Sequence, residues 1–492
     1  MSATLEHPLA PALGYCTVVP EFLTPRECRE LIALAETKGF HGASTDYPPT
    51  YRSNDRLVYD DESLSMRLFK RLRGFAPEVL ESHGDRGSET WRLDGVNERL
   101  RFCRYAPHQQ FNIHQDGVHH RGFNRRSLLT FMVYLTDGTD FSGGDTEFFS
   151  DGPRAARAGS AQPEVVARIR PKIGTLILFD HRIWHAGAKV TSGTKYILRS
   201  DVLYRSDDAP PGEGAQQQHQ GYIWTLARLG SDSFASGGRD CSIRIWNRAF
   251  EPAGVLIGHT NSVLGLAPLD AARLASVSRD RTLRIWDVPT ARCTNTVVAH
   301  DAAVLTVVKL DDHRIATGAA DHTIKIWSPT GHEIANIRGH AGWVWKLVRV
   351  SHDLFASASE DGTVKLWHAR TYRQIGSLPG TVPLRSIAVS PDGKQLATGD
   401  VLGRLRIWSD LETSPRVESE WIAHHGAIRS VVFLGADAIA SGGEDCRLHL
   451  WRAGPWRSVY QAEHDNFVTD IVSVDARCYA SASYGGKIRL HQ

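Results

Sequence analysis

Two histidines and one aspartate are the first residues in this 492-residue chain whose types and spacing suit chemistry. In RYAPHQQFNIHQDG, His114 and Asp116 stand two apart, so on an extended strand both side chains leave the same face. A third donor, His185, follows the apolar stretch of GTLILFDHRIWHAG. Two imidazoles and a carboxylate on one side, with the other side open, form the ligand set of non-haem Fe(II) centres. The triplet alone is weak evidence in a chain with 23 His, and His83-Gly84-Asp85 offers a second copy. That decoy reads as a Gly-rich loop after a helix, with no strand to hold it. His181 competes with His185, because parity along a strand permits either. His119 and His120 read as part of a solvated or substrate-facing loop.

The elements that must position these residues are legible nearby. Thr24-Pro25 with Glu27 is a capping-box start, and Cys28, Leu31, Ile32 and Ala35 form a helical apolar stripe that ends at Gly39. A second helix is expected from Asp61 to about Phe75, with Leu64, Leu68 and Leu72 on one face. After Arg99 the period changes to two, which predicts several strands through Tyr204. On one of them Thr130, Met132 and Tyr134 share a face, opposite Phe131, Val133 and Leu135. On another, Lys195, Ile197 and Arg199 lie together.

Across these pieces, from about residue 15 to 205, the chain resembles the 2-oxoglutarate- and Fe(II)-dependent oxygenases of the prolyl 4-hydroxylase type. The likeness is carried by the entry helix with Cys28, RSNDRLVYDD, and Tyr105 and Phe111 ahead of the His-x-Asp. It continues through RSLLTFMVYL, GGDTEF, IRPKIGTLILFDH and the interval from His185 to Lys195. The resemblance implies a double-stranded β-helix (jelly roll) with flanking helices. It makes His114, Asp116 and His185 the iron ligands and Lys195 the partner of the distal carboxylate of 2-oxoglutarate. Arg199 is the rival anchor, with Lys195 preferred. Tyr105, Thr130 and Tyr134 are expected beside the cosubstrate, or else as satisfied core polar groups. No catalytic residue beyond the metal centre is expected. The implied reaction uses O₂ and Fe(II) to turn 2-oxoglutarate into succinate and CO₂ while a C–H bond is hydroxylated, with ascorbate expected as an accessory cofactor. Two departures stand out: His108 where the family often has Gly, and GGDT where GGET is usual.

The second half is repetitive. Strands ending in Trp246, Trp286, Trp327, Trp367, Trp408 and Trp451, and then His491, follow at steps of 40, 41, 40, 41, 43 and 40 residues. Twenty-seven positions before each lie His219, His259, His300, His340, Thr381, His424 and His464. Six residues before, Asp240, Asp280, Asp321, Asp361 and Asp445 suit tight turns. This resembles the WD-repeat family, one propeller blade per unit, and implies a seven-bladed β-propeller. The histidines are expected to be structural. The fifth unit lacks both His and Asp (Thr381, Leu402) and the last has Gly485, so those two blades are expected to be the softest, or altered for a partner.

The expected organisation is mostly β in two domains: an oxygenase over 1–205, a linker over 206–218, and a propeller over 219–492. Within the linker, Glu213–Gln218 is also a candidate closing strand for the last blade. Lys plus Arg (57) nearly balance Asp plus Glu (55), so no basic field favours nucleic acid. No apolar run of membrane-spanning length occurs. Seven Cys without metal-ligand spacing suggest a reducing compartment and a cytoplasmic location. A propeller usually docks proteins, which favours a protein or peptide substrate, with a prolyl side chain the first choice. A silent scaffold and a small-molecule oxygenase are the competing readings. The loop 41–59 is a candidate lid, and 150–168 reads as a solvated connection.

Overall fold

The computed structural model describes residues 5–42, 48, 52–84, 87–119, 125–150, 163–206, 219–230, 233–249, 251–380, 382–464, 466–474 and 478–491. The chain divides into two compact units, Met1–Ala215 and Gln216–Gln492. The candidate closing strand Glu213–Gln218, Thr381, His120 and most of the 150–168 insert lie outside the described residues.

The first unit runs β1 (Cys16–Val19), α1 (Pro25–Lys38), β2 (His41–Gly42), β3 (Asp55–Asp60), α2 (Glu62–Leu72), β4 (Val79–Gly84), β5 (Gly87–Val96) and β6 (Arg99–Tyr105). It continues with β7 (Phe111–His114), β8 (Arg125–Tyr134), β9 (Phe141–Gly143), β10 (Thr146–Phe149), β11 (Val165–Ile169), β12 (Leu176–Asp180), β13 (His185–Gly187), β14 (Val190–Gly193) and β15 (Lys195–Ser206). Helix α1 opens with the expected capping box: Thr24 Oγ1 accepts from Glu27 N–H while Glu27 accepts from Thr24 N–H. Asp61 caps α2 by accepting from Leu64 N–H at 2.8 Å. His83 lies within strand β4, paired with Ser88 of β5, and not in the loop its glycine neighbour suggested.

A nine-stranded sheet runs β1-β12-β8-β15-β6-β3-β2, with β5 also on β15 and β4 on β5. Alternation along its strands separates two cores. Phe131, Val133, Leu135, Leu178 and Leu198 pack with Cys28, Ala35, Leu64, Leu68 and Leu72 of the helices. Met132, Tyr134, Ile177, Phe179 and Ile197 face the other way, toward Phe111 and Phe148 of a four-stranded sheet, β11-β10-β13-β7. The second, inner space is where the candidate ligands converge.

The second unit is a succession of antiparallel sheets: among the described residues, six have four strands and the last has three. The first strands of successive sheets touch, and Ile223–Arg228 of the first also meets Val468–Ser473 of the last. That closure is hydrogen-bonded. Leu226 N–H donates to Asp470 Oδ2 at 2.9 Å, and Thr469 Oγ1 donates to the Ile223 carbonyl at 2.6 Å. Asp470, buried, also accepts from Ser430 Oγ at 2.9 Å and lies 3.7 Å from Lys346 Nζ, on the fourth sheet.

Each His of the repeat is consumed structurally. In the first sheet His219 Nδ1 lies 3.0 Å from Asp240 and Nε2 lies 2.7 Å from Ser236 Oγ, which also accepts from Trp246 Nε1 at 2.7 Å. The same pattern joins His259, Asp280, Ser276 and Trp286, and then His424, Asp445, Ser441 and Trp451. In the fifth sheet Asp400 takes over the turn. It sits eight residues before Trp408, where other units carry Gly238, Ser278 or Gly443, and a Cβ at Gly238 or Gly443 would strike the imidazole of His219 or His424. Asp400 Oδ1 accepts from Leu402 N–H and Arg404 N–H, both at 2.9 Å. Trp408 Nε1 still reaches Thr398 Oγ1, at 3.0 Å.

Candidate metal centre

Strands β7 and β13 are antiparallel neighbours, and their register sets His185 opposite His114. Asp116 lies just past β7, where its N–H donates to the His181 carbonyl at 2.9 Å. One ligand atom from each of His114, Asp116 and His185 lies within 4.8 Å of the others. Their Nε2 atoms face the carboxylate, at 3.6 Å from His114 to Oδ1 and 3.5 Å from His185 to Oδ2.

The chemistry of these donors fits a divalent transition metal. His114 Nδ1 lies 2.7 Å from the Asn112 carbonyl and His185 Nδ1 2.9 Å from the Ile183 carbonyl. A carbonyl only accepts, so both protons sit on Nδ1 and both Nε2 lone pairs point inward, as ligating imidazoles require. Burial keeps both rings neutral: it lowers His114, and with His114 beside it takes His185 down to about 3. Burial alone would raise Asp116, but its carboxyl is held well below the usual carboxylate range, with the Arg199 guanidinium the largest lowering cause. Three pre-oriented donors, one of them ionised, form the 2-His-1-carboxylate set. His114 is further braced by Phe111, stacked on it at 3.5 Å between ring centroids, with the Arg52 guanidinium 4.1 Å from the Phe111 centroid.

The remaining candidates divide between two places. Thr130 and Arg199 sit at the ligands: Thr130 Oγ1 donates to Asp116 Oδ2 at 2.5 Å, and Arg199 Nη2 pairs with Asp116 Oδ1. Lys195, Tyr105 and Tyr134 form a second group. Lys195 is 2% exposed, its Nζ 5.4 Å from the ring centroids of both Tyr105 and Tyr134, and it donates to the Gly144 carbonyl. Tyr134 donates to Thr146 Oγ1 at 2.6 Å. Among the described residues no carboxylate forms an ion pair with Lys195, and burial pushes its ammonium down to about 8. A buried cation in that state favours an anion brought from outside.

The turn behind Lys195 explains the two glycines of GGDT, and nothing in it accounts for Asp145 in place of Glu. Gly143 and Gly144 have φ of +74° and +71°, and a Cβ on Gly143 would come 2.5 Å from the Lys189 carbonyl oxygen. His108, where glycine is usual in the resembling family, has φ of +71°, so a non-glycine residue occupies a left-handed position here. Arg52, Ser127 and Thr146 escaped the reading of the sequence. All three lie inside quoted motifs, RSNDRLVYDD, RSLLTFMVYL and GGDTEF, but their side-chain roles were not singled out there.

Comparison with known proteins matches different families to different parts of the chain. Residues 100–200 match the 2OG-Fe(II) oxygenase superfamily. Residues 214–247, 250–287 and 291–328 match the WD domain, G-beta repeat, and residues 340–409 match a TEP-1 C-terminal beta-propeller. Among curated proteins, the chain is 35% identical over 140 residues to a ribosome biogenesis protein, YTM1, of Lodderomyces elongisporus, covering 26% of this chain and 28% of that one. It is 35% identical over 199 residues to zinc finger CCCH domain-containing protein 17 of Oryza sativa, covering 38% and 45%. It is 26% identical over 293 residues to the nuclear distribution protein PAC1 of Arthroderma benhamiae, covering 52% and 56%. The chain thus spans between 28% and 56% of the length of these relatives. It carries a 2OG-Fe(II) oxygenase domain followed by WD40 repeats. No described helix is long and apolar enough to cross a membrane.

Proposed function

We propose that the first unit is a double-stranded β-helix dioxygenase that uses Fe(II), O₂ and 2-oxoglutarate to hydroxylate a C–H bond in a protein or peptide. A prolyl side chain is the first candidate, and ascorbate is the reductant that keeps the iron ferrous. The reading rests on one observation above others: two imidazoles with their Nδ1 protons committed to backbone carbonyls present both Nε2 atoms to a single buried carboxylate. His114, Asp116 and His185 would hold the iron, which supplies the site for O₂ activation coupled to decarboxylation of 2-oxoglutarate. Lys195 would pair with the distal carboxylate of the cosubstrate, with Tyr105 and Tyr134 forming the dry wall beside it and Arg199 the alternative anchor. Thr130 orients Asp116. The apolar lining from Phe111, Met132, Phe148, Phe179 and Ile197 keeps bulk water from the reacting centre.

The second unit, a seven-bladed propeller in this reading, docks the substrate or a partner. The test is succinate release from 2-oxoglutarate with Fe(II) and ascorbate, with His114→Ala as control, followed by a search for a +16 Da product among proteins captured by the full chain. Equal succinate from both proteins across the candidate substrates would refute the enzyme. Relatives named for ribosome biogenesis and nuclear distribution favour a scaffold as the second reading.

A further inference from the structure

His181 is a rival of His185 in the sequence, but its environment gives it different work. It is 1% exposed, with Nδ1 2.9 Å from Thr130 Oγ1 and Nε2 2.8 Å from Ser127 Oγ. Thr130 Oγ1 donates to Asp116 Oδ2, and Ser127 Oγ accepts from His119 N–H at 2.7 Å. Ser127 N–H returns a bond to the His119 carbonyl at 2.8 Å. The His181 carbonyl accepts from Asp116 N–H, so this one residue reaches the aspartate at both its backbone and its side chain.

The donor–acceptor inventory admits one proton order along this chain. An ionised Asp116 only accepts, so the Thr130 hydroxyl spends its proton there. Thr130 oxygen then accepts from His181, which puts the imidazole proton on Nδ1. With Nδ1 protonated on a neutral ring, Nε2 is an acceptor, and the Ser127 hydroxyl donates to it. Ser127 oxygen is left to accept from His119 N–H. Every bond points from the loop after β7 toward Asp116, and each hydroxyl gives one proton and takes one.

We propose that His181 and Thr130 are positioning residues for Asp116: together they lock the carboxylate in its ligating rotamer and couple it to the backbone of the loop at His119. This rests on the assignment of Asp116 as a metal ligand. The loop's register is thereby read at the metal, so a substrate that displaces His119 loosens the carboxylate through Ser127, His181 and Thr130.

The test titrates Co(II) into the full chain and follows visible absorption, for wild type, Thr130→Val, Thr130→Ser and His181→Phe. Removing an outer hydrogen-bond partner of a ligand costs about ten- to a hundredfold in metal affinity. Thr130→Val is expected to weaken Co(II) by that factor and to alter its spectrum, while Thr130→Ser restores both. Wild-type affinity and spectrum in Thr130→Val would overturn the proposal. A second measurement needs no metal: in ¹⁵N-histidine-labelled protein, a slowly exchanging Nδ1–H signal that His181→Phe removes should shift in Thr130→Val. A His181 proton found on Nε2 would overturn the relay. If the wild type binds no Co(II), the metal assignment fails by itself, and the histidine signal still decides the relay.

Discussion

His185 and His114 are register partners on neighbouring antiparallel strands, with ring centroids 4.2 Å apart and each Nδ1 turned to a carbonyl two residues earlier in its own segment. The tautomers are thus set by the backbone before any metal arrives, and most of the ordering cost falls on folding.

Replacing either imidazole should therefore abolish metal binding without unfolding the sheet. A ligand at a hundred times its Kd stabilises the folded state by about 2.7 kcal/mol. Wild type should show a metal-dependent rise in melting temperature with Co(II) or Mn(II), and His114→Ala and His185→Ala should show none. A rise that persists in both variants places the metal elsewhere.

Lys195 and Arg199 separate kinetically. A charge-assisted hydrogen bond contributes about 1.5–3 kcal/mol, or roughly ten- to a hundredfold. Lys195→Met is expected to raise KM for 2-oxoglutarate by that factor, and to raise the melting temperature of the ligand-free chain by removing a buried cation that has no ion-pair partner among the described residues. An unchanged KM would move the anchor to Arg199.

The turn aspartates give the second unit its acid limb. Burial pushes Asp240 up, but the His219 bond and backbone donors outweigh it and hold the carboxyl at about 2, below the ordinary 3.8. A depressed folded value stabilises above pH 3.8, and that stability is lost as pH falls through 2. Asp240→Asn should cost about 2 kcal/mol at neutral pH, and should flatten the decline between pH 4 and 2 in thermal melts.

Asp400 behaves in the opposite sense. Among the described residues its buried Oδ2 has no hydrogen-bond partner, and burial raises the carboxyl above 3.8. A raised acid destabilises its fold when ionised, at neutral pH, and the cost vanishes as pH falls below 3.8. Asp400→Asn keeps the acceptor for Leu402 and Arg404. It should raise the melting temperature at pH 7 by a few degrees, at about 2–4 °C per kcal/mol, and match wild type at pH 3. A fall at pH 7 would show that the charge contributes.

What the sequence made legible was local or periodic. His114 and Asp116 are two apart, so a single parity rule brings both to one side, although β7 ends at His114 and Asp116 lies just beyond it. The Thr24–Glu27 box and the alternation of Thr130–Leu135 follow from spacing alone. Thr130 was readable as inward-facing but not as the partner of Asp116, because that contact crosses from β8 to the loop after β7. His181 against His185 could not be decided by parity, since the turn after β12 breaks the strand between them. The fifth repeat looked deficient because its Asp was sought six residues before Trp408, whereas Asp400 supplies the acceptor from eight. Arg52 and Thr146 reach the site only through pairings that no short window contains.

The bonds of Asp470 to Leu226 and Ser430 carry a consequence for biogenesis. During translation, residues 223–228 leave the ribosome well before 468–473, so the early sheet must wait with an unsatisfied edge while five more are made. The oxygenase fold, whose longest strand ends at Ser206, is under no such delay. A nascent chain stalled before Asp470 should therefore hold a finished first unit and an unclosed second one, which limited proteolysis of the stalled chain would read as protection of residues before Ser206 alone.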